Sequence, residues 1–223
     1  MKIGAIIICR YNSSRLPGKI LKPIEGKEIL LHIYERLSQI QNLNITVATS
    51  IEITDDPIVT FCEEKSIPYF RGSLNNVSER FLKAAENQGL DYAIRVNGDN
   101  LFIDIEAMQE MMSLAHRNTY DFISNVKGRS FPFGMSIEIV KTTFYKSIFS
   151  KLDSDYYKEH VTIYFYENEK SGAFFFYYNT KVETAKGLKI AIDTADDFTK
   201  ASDIVKKINM TSYNLKEIVE AYG

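Results

Sequence analysis

The stretch "CRYNSSRLPGKIL", Cys9 to Leu21, follows the apolar run "KIGAIIIC" and concentrates chemistry that a plain turn does not need. Arg10, Arg15 and Lys19 can neutralise several oxygens of a polyphosphate, Ser13 and Ser14 offer hydroxyls, and Gly18 lets the backbone approach a ligand. Two standard nucleotide motifs fail here. "PGKI" has Ile20 after Lys19 and no glycine five residues before Gly18, so it is not G-x-x-x-x-G-K-[ST], and G-x-G-x-x-G is absent. The other reading of the segment is a solvated strand-to-helix loop in which Pro17-Gly18 makes a turn.

Two aspartates complete the set. Asp99 ends "YAIRVNGD" and Asp193 ends "LKIAID", both apolar runs that read as strands. If those strands run parallel to the first, both carboxylates emerge at the edge carrying the cationic loop. An all-oxygen pair of that kind suits Mg²⁺, which rests on one or two carboxylates plus substrate phosphates. The competing readings are a Gly98-Asp99 turn and a helix start at Thr194, which has Asp197 at capping-box spacing. Asp153-Ser154-Asp155 has the D-x-D spacing by which glycosyltransferases hold a metal, or it caps a helix. Arg71 of "FRGS" is a candidate contact to a base or sugar, or a surface ion-pair partner. Asn97 and Asn125 can hydrogen-bond sugar hydroxyls. His32 and His116 fall in helical patterns, where surface or helix-dipole roles are expected, and neither has triad partners.

The elements that would position these groups alternate through the first half of the chain. "KIGAIIIC", "NITVATS", "YAIRV" and "DFISN" read as strands, separated by the helical patterns "GKEILLHIYERLSQI", "DDPIVTFCEEKS", "NVSERFLKAAENQG" and "IEAMQEMMSLAHR". Asn76 and Glu79 sit at cap spacing and Gly89 at a stop. Further on, "MSIEIV" alternates with period two, "YYKEHVTIYFYENE" reads as one helix, "GAFFFYYNT" as a strand apolar on both faces, "LKIAID" as a final strand, and "TADDFTKASDIVKKI" and "NLKEIVEAY" as closing helices. The pattern predicts a single α/β domain over residues 1–223, a Rossmann-like three-layer sandwich around a mostly parallel sheet. The "FFFYY" segment seals either a homodimer or a sheet face. With 27 basic against 29 acidic residues there is no footprint for nucleic acid, and two cysteines outside any CxxC spacing argue against a disulfide framework or zinc ribbon. "IGAIIIC" is too short to span a bilayer, so a reduced cytoplasmic protein without export segment or membrane span is expected.

The opening segment resembles that of the cytidylyltransferases that activate acidic sugars, the acylneuraminate and 3-deoxy-octulosonate enzymes, and within them the branch named for spore coat polysaccharide biosynthesis protein F. "VATS", "FRGS", "RVNGDNLFID", "FPFGMSIEIV", "EHVT" and "IDTADDF" recur in that family's order. The resemblance implies a nucleotide-diphospho-sugar transferase type of fold, with Arg10, Ser13, Ser14, Arg15 and Lys19 wrapping the triphosphate of CTP, and Mg²⁺ on Asp99 and Asp193. Arg15, Lys19 and Asp99 would carry catalysis, Arg71 would add a nucleotide contact, and Glu138 and His160, with Asn97, would face the acidic sugar that receives CMP as pyrophosphate leaves. The chain departs from the family's usual acidic pair at Asn75-Asn76, threonine at Asn97 and aspartate at Ser136. The departures at Asn75-Asn76 and Ser136 keep a non-catalytic nucleotide-binding homologue open as an alternative, and Asp153 and Asp155 keep open a sugar-nucleotide glycosyltransferase of similar fold.

Overall fold

The computed structural model describes residues 1–223. Its strands are β1 (Ile3–Ile8), β2 (Pro23–Ile24), β3 (Lys27–Glu28), β4 (Asn44–Ser50), β5 (Tyr69–Gly72), β6 (Tyr92–Asn97), β7 (Phe122–Ser124), β8 (Glu138–Lys141) and β9 (Phe174–Phe176). β2 and β3 form a small hairpin; the other seven make one mixed sheet in the order β5-β4-β1-β6-β8-β7-β9. β-branched runs form the central strands because both faces are covered, and β1 is buried along nearly its whole length. Only β8 is reversed, antiparallel to both β6 and β7. The chain winds outward from β1 to β4 and β5 and then crosses back to β6, so the strand order switches direction at β1 and β6, where open α/β sheets leave a crevice.

Helices α1 (Ile29–Ser38), α2 (Asp56–Glu64), α4 (Ile105–His116), α8 (Ala195–Lys207) and α9 (Leu215–Tyr222) cover one face; α3 (Val77–Asn87), α5 (Thr142–Ile148), α6 (Asp155–Glu159) and α7 (Ile163–Glu167) lie on the other. This is the expected three-layer α/β arrangement. Local signals set several helix ends: Asn76 accepts from the Glu79 amide, Gly89 takes φ +60°, and reciprocal capping boxes start α8 at Thr194/Asp197 and α9 at Asn214/Glu217. β9 is apolar on both faces because Phe175 packs into one layer while Phe174 and Phe176 pack into the other. No helix is long and apolar enough to cross a membrane.

Four expectations are corrected. "LKIAID" is no sheet strand. β8 already occupies the place beside β6, so residues 188–192 instead lie across the strand ends, with one isolated bridge, Phe133 to Lys189, and a hydrogen bond from Ile192 N to the Asp99 carbonyl at 3.1 Å. "YYKEHVTIYFYENE" breaks into α6 and α7, because Val161 and Thr162 turn inward, Val161 into the core and the Thr162 hydroxyl onto Glu138. His32 is buried, its Nε2 3.0 Å from the Ile24 carbonyl, and holds α1 to the hairpin. Asn125 spends its amide on the backbone, donating to the Met135 carbonyl and accepting from Ile137 N, and is unavailable to a sugar. "FRGS" supplies an additional short strand, β5, paired with β4.

The Asn125 clamp delivers residues 131–137 to the site edge, where Gly134 lies flat against residues 190–191. Its φ is +103°, and an added Cβ would stand 2.4 Å from Ala191 N. Gly134→Ala is therefore expected to cost more than about 1 kcal/mol, because left-handed strain and a backbone collision coincide. Chemical denaturation of the variant against the parent protein measures it.

Candidate active site

A cavity of about 720 Å³ opens where β1 and β6 end. The loop after β1 folds back on itself, since the Tyr11 carbonyl accepts from Ser13 N at 3.0 Å and Gly18 N at 2.8 Å. Its base is fixed by Asp55, which accepts from Tyr11 N at 2.7 Å and from the Ser50 amide at 3.1 Å. Burial alone would push the Asp55 carboxyl up, but hydrogen bonds from Ser50 and Tyr11 hold it below the usual range. Held this way, the loop turns Arg10, Ser13, Ser14, Arg15 and Lys19 onto the cavity wall.

Lys19 is the centre of the arrangement. Its ammonium donates to the Ile192 carbonyl at 2.6 Å and stands 3.8 Å from Asp99 and 3.9 Å from Asp193. Arg15 reaches the same Asp193 oxygen at 2.9 Å, and Lys189 lies 3.6 Å from the other. Asp99 comes this close because β6 hugs β1. Gly98 N donates to the Ile8 carbonyl at 2.9 Å, and a Cβ on Gly98 would press to 2.8 Å from that of Cys9. Burial raises the Asp99 carboxyl above its ordinary value; Lys19 opposes this and Asp193 reinforces it.

Both aspartates and both loop cations thus meet at one rim. The donor set suits a divalent cation. One Asp99 oxygen is buried with no hydrogen-bond partner, so a cation there would satisfy an otherwise stranded acceptor. No trio of His, Cys, Asp or Glu forms an all-protein cage. Two carboxylates without a cage is the Mg²⁺ pattern, in which nucleotide phosphates supply further oxygens.

Arg71 does not line this cavity. Its guanidinium donates to the Ser50 and Glu52 carbonyls and pairs with Asp56 at 2.7 Å, so α2 has already claimed it. Arg80 stands on the wall instead, 2% exposed and without a carboxylate partner, one nitrogen on the Ser73 carbonyl at 2.6 Å and Nε unpaired. Asn75 joins it there while Asn76 is spent on the α3 cap.

A second cavity of about 570 Å³ adjoins the first and shares Arg95, Asn97, Asp99, His160 and Asp193 with it. Ser136 is on its wall. His160 sits in the break between α6 and α7, exposed and edge-on to Tyr156 at 4.9 Å. Glu138 also borders this space, but its oxygens are spent, one on Thr162 at 2.7 Å and Tyr166 at 2.6 Å, the other on Arg95. It orients Arg95 rather than offering itself to a sugar. In the D-x-D triplet it is Ser154 that caps α6, while the Asp155 side chain is fully exposed and 3.7 Å from Lys158. Asp55, Arg80 and Arg95 were not singled out from sequence. Arg80 on the apolar stripe of a helix and Arg95 inside an apolar strand were the available signals; nothing distinguished Asp55 from Asp56.

The family model described as cytidylyltransferase matches residues 4–220. Spore coat polysaccharide biosynthesis protein SpsF of Bacillus subtilis is 31% identical over 212 residues, covering 91% of this chain and 85% of that protein. Among solved structures, a cytidylyltransferase from Leptospira borgpetersenii superposes with a TM-score of 0.92 at 30% identity, covering 99% of this chain and 93% of the other. A CMP:2-keto-3-deoxy-manno-octonic acid synthetase complexed with CTP superposes at 0.69 and 17% identity over 92% of this chain and 99% of its own, a likeness of fold.

Two carboxylates should respond to pH with opposite sign. Asp99, raised in the fold, makes its contribution fully below the unfolded carboxylate value and loses it as pH rises through its folded pKa, so ionised Asp99 weakens the cation-free fold. Asp197 sits at about 2: burial opposes this, but Lys189 and Thr194 hold it down. Its contribution is present above the unfolded value and lost as pH falls toward about 2. Thermal melts across pH should show Asp99→Asn more stable than the parent at neutral pH, with the gap closing on acidification. Asp197→Asn should be less stable at neutral pH, its gap closing only between roughly pH 4 and 2.

Proposed function

The chain belongs to the cytidylyltransferase family, and from that premise we propose that it transfers CMP from CTP to a hydroxyl of an acidic, keto-acid sugar, releasing pyrophosphate. One observation carries this reading: two adjoining cavities share Asn97, Asp99 and Asp193, and one of them is walled by the cationic loop. CTP takes the loop side and the sugar takes the side bordered by Ser136 and His160. The similarity to a spore coat polysaccharide biosynthesis protein supports a product destined for surface polysaccharide or another glycan.

The sugar hydroxyl oxygen attacks the α-phosphorus and gives up its proton to solvent, forming a new phosphorus–oxygen bond as the bond to the bridging oxygen breaks. The electron pair leaves with pyrophosphate. Such a transfer depends on alignment and charge neutralisation more than on covalent help. Lys19, pinned by the Ile192 carbonyl, and Arg15 stabilise charge gathering on the leaving group. Arg10, Ser13 and Ser14 hold the remaining phosphate oxygens. Arg80, rather than Arg71, adds a buried positive charge on the nucleotide side. Asp99 and Asp193 would hold Mg²⁺, which when bound offsets phosphate charge and orients the nucleotide.

A pyrophosphate-release assay crossing the four nucleoside triphosphates with eight- and nine-carbon keto-acid sugars tests the reading. CTP with an acidic sugar should be the productive pair; release only with other nucleotides, or only with neutral sugars, would reject it. Asp99→Asn should lower turnover by about two orders of magnitude or more with the fold intact. Lys19→Ala should weaken CTP use and pyrophosphate release together, and normal CTP kinetics in that variant would remove the loop from the mechanism.

A further inference from the structure

Arg95 stands at the boundary of the two cavities and lines both. It is held from behind. Arg95 and Glu138 are register partners across the antiparallel β6–β8 pair, and their side chains form an ion pair in which Glu138 is almost wholly buried. Glu138 is itself locked by hydroxyl donors from Thr162 and Tyr166, and Tyr166 is tied on to Ser124. An arginine fixed by so many second contacts presents its remaining edge in one orientation.

That edge is free. Both hydrogen bonds of the guanidinium leave from Nη1, to Glu138 and to Thr162. Nε is buried and has no partner. A buried N–H left unpaired costs free energy that an incoming acceptor recovers. Nε and Nη2 together form the side-on fork that takes two oxygens of a carboxylate or phosphate at once. Of the other cations of the second cavity, Lys127 and Lys189 are each committed to a carboxylate, Glu169 and Asp197, and Arg129 lies over the Phe133 ring. Asn97, two residues along β6, projects on the same side of the strand and also lines both cavities.

We propose that Arg95 is an oxyanion anchor at the junction of the two cavities, its Nε–Nη2 edge receiving either the carboxylate of the sugar or the α-phosphate of the nucleotide, with Glu138 as its positioning residue. The proposal rests on the CMP-transfer reading and extends it with a specificity-determining residue. A lysine at this place keeps the charge and the Glu138 pair but loses the fork, which separates recognition from simple charge balance.

The test uses the full chain and two binding arms that need no turnover: CTP with Ca²⁺, and N-acetylneuraminate or 3-deoxy-octulosonate, each titrated calorimetrically. Arg95→Lys is expected to melt within a few degrees of the parent and to lose tenfold or more in affinity in one arm. Loss in the sugar arm alone, with a raised KM for sugar and unchanged KM for CTP, assigns the carboxylate; loss in the CTP arm assigns the α-phosphate. If Arg95→Lys does not fold, the pair Arg95→Gln with Glu138→Gln retains a neutral cross-strand hydrogen bond and is read in the same way. A folded variant whose affinities stay within twofold in both arms overturns the proposal and leaves Arg95 as the counter-ion of Glu138. Failure of the parent protein to transfer CMP to any sugar would reject the reaction, whereas these variant-to-parent ratios decide Arg95.

Discussion

Two aspartates from distant parts of the chain are forced toward one ammonium, and the site is organised around that constraint. Asp99 is placed by the close approach of β6 to β1. Asp193 is placed by a hydrogen bond from Ile192 N to the Asp99 carbonyl itself, so the backbone carries one acid to the other. Like charges so near would drive the two segments apart if nothing stood between them. Lys19 does, while its own hydrogen bond to the Ile192 carbonyl makes the lysine a part of the same brace. Partial exposure of these groups screens their attraction, so the cluster contributes alignment more than stability.

Much of the supporting work is done by buried polar groups that bond to backbone. Asp55 fixes the base of the cationic loop. Arg36, stacked 3.8 Å from the centre of the Tyr213 ring, donates to the carbonyls of Ile103 and Tyr213, and the Tyr213 hydroxyl accepts from Ile103 N. Asp104 caps α4 from the same turn. The segment after Asp99 is thereby tied to α1 and to the approach to α9. Such groups are costly to bury unless fully bonded, and here each fixes a loop that contributes a side chain or carbonyl to the rim.

What could be read from the sequence was what local rules determine. The central strands, the caps at Asn76 and Thr194, and the cationic loop at the end of β1 depend on neighbouring residues, and they stand where the pattern placed them. The α/β class followed from those elements and their order, and the family resemblance from the opening loop and the short motifs that come after it in order. What could not be read depended on competition among distant partners. Arg71 and Arg80 are both arginines near β5, and only the fold shows that Asp56 claims one while the other stays buried without a counter-ion. "LKIAID" has the composition of a strand, but strand formation needs a vacant neighbour in the sheet. The aromatic segment after Asp155 has helical spacing, yet the pull of Val161 into the core and of Thr162 onto Glu138 outweighs its preference for one continuous helix.

The reversal of β8 has an architectural outcome. A reversed strand begins where its parallel neighbours end, so the turn leading into it, residues 131–137, arrives at the same rim as the loops leaving β1 and β6. The second cavity therefore gains a wall from this entering segment, whereas the cationic loop of the first leaves β1, and the interrupted helix lines both. The two are joined at one seam, the hydrogen bonds of Phe133 to residues 188–191, next to Ile192 and Asp193. Changes in the entering segment away from that seam can reshape the second cavity while the hydrogen bonds that fold the loop after β1 stay as they are.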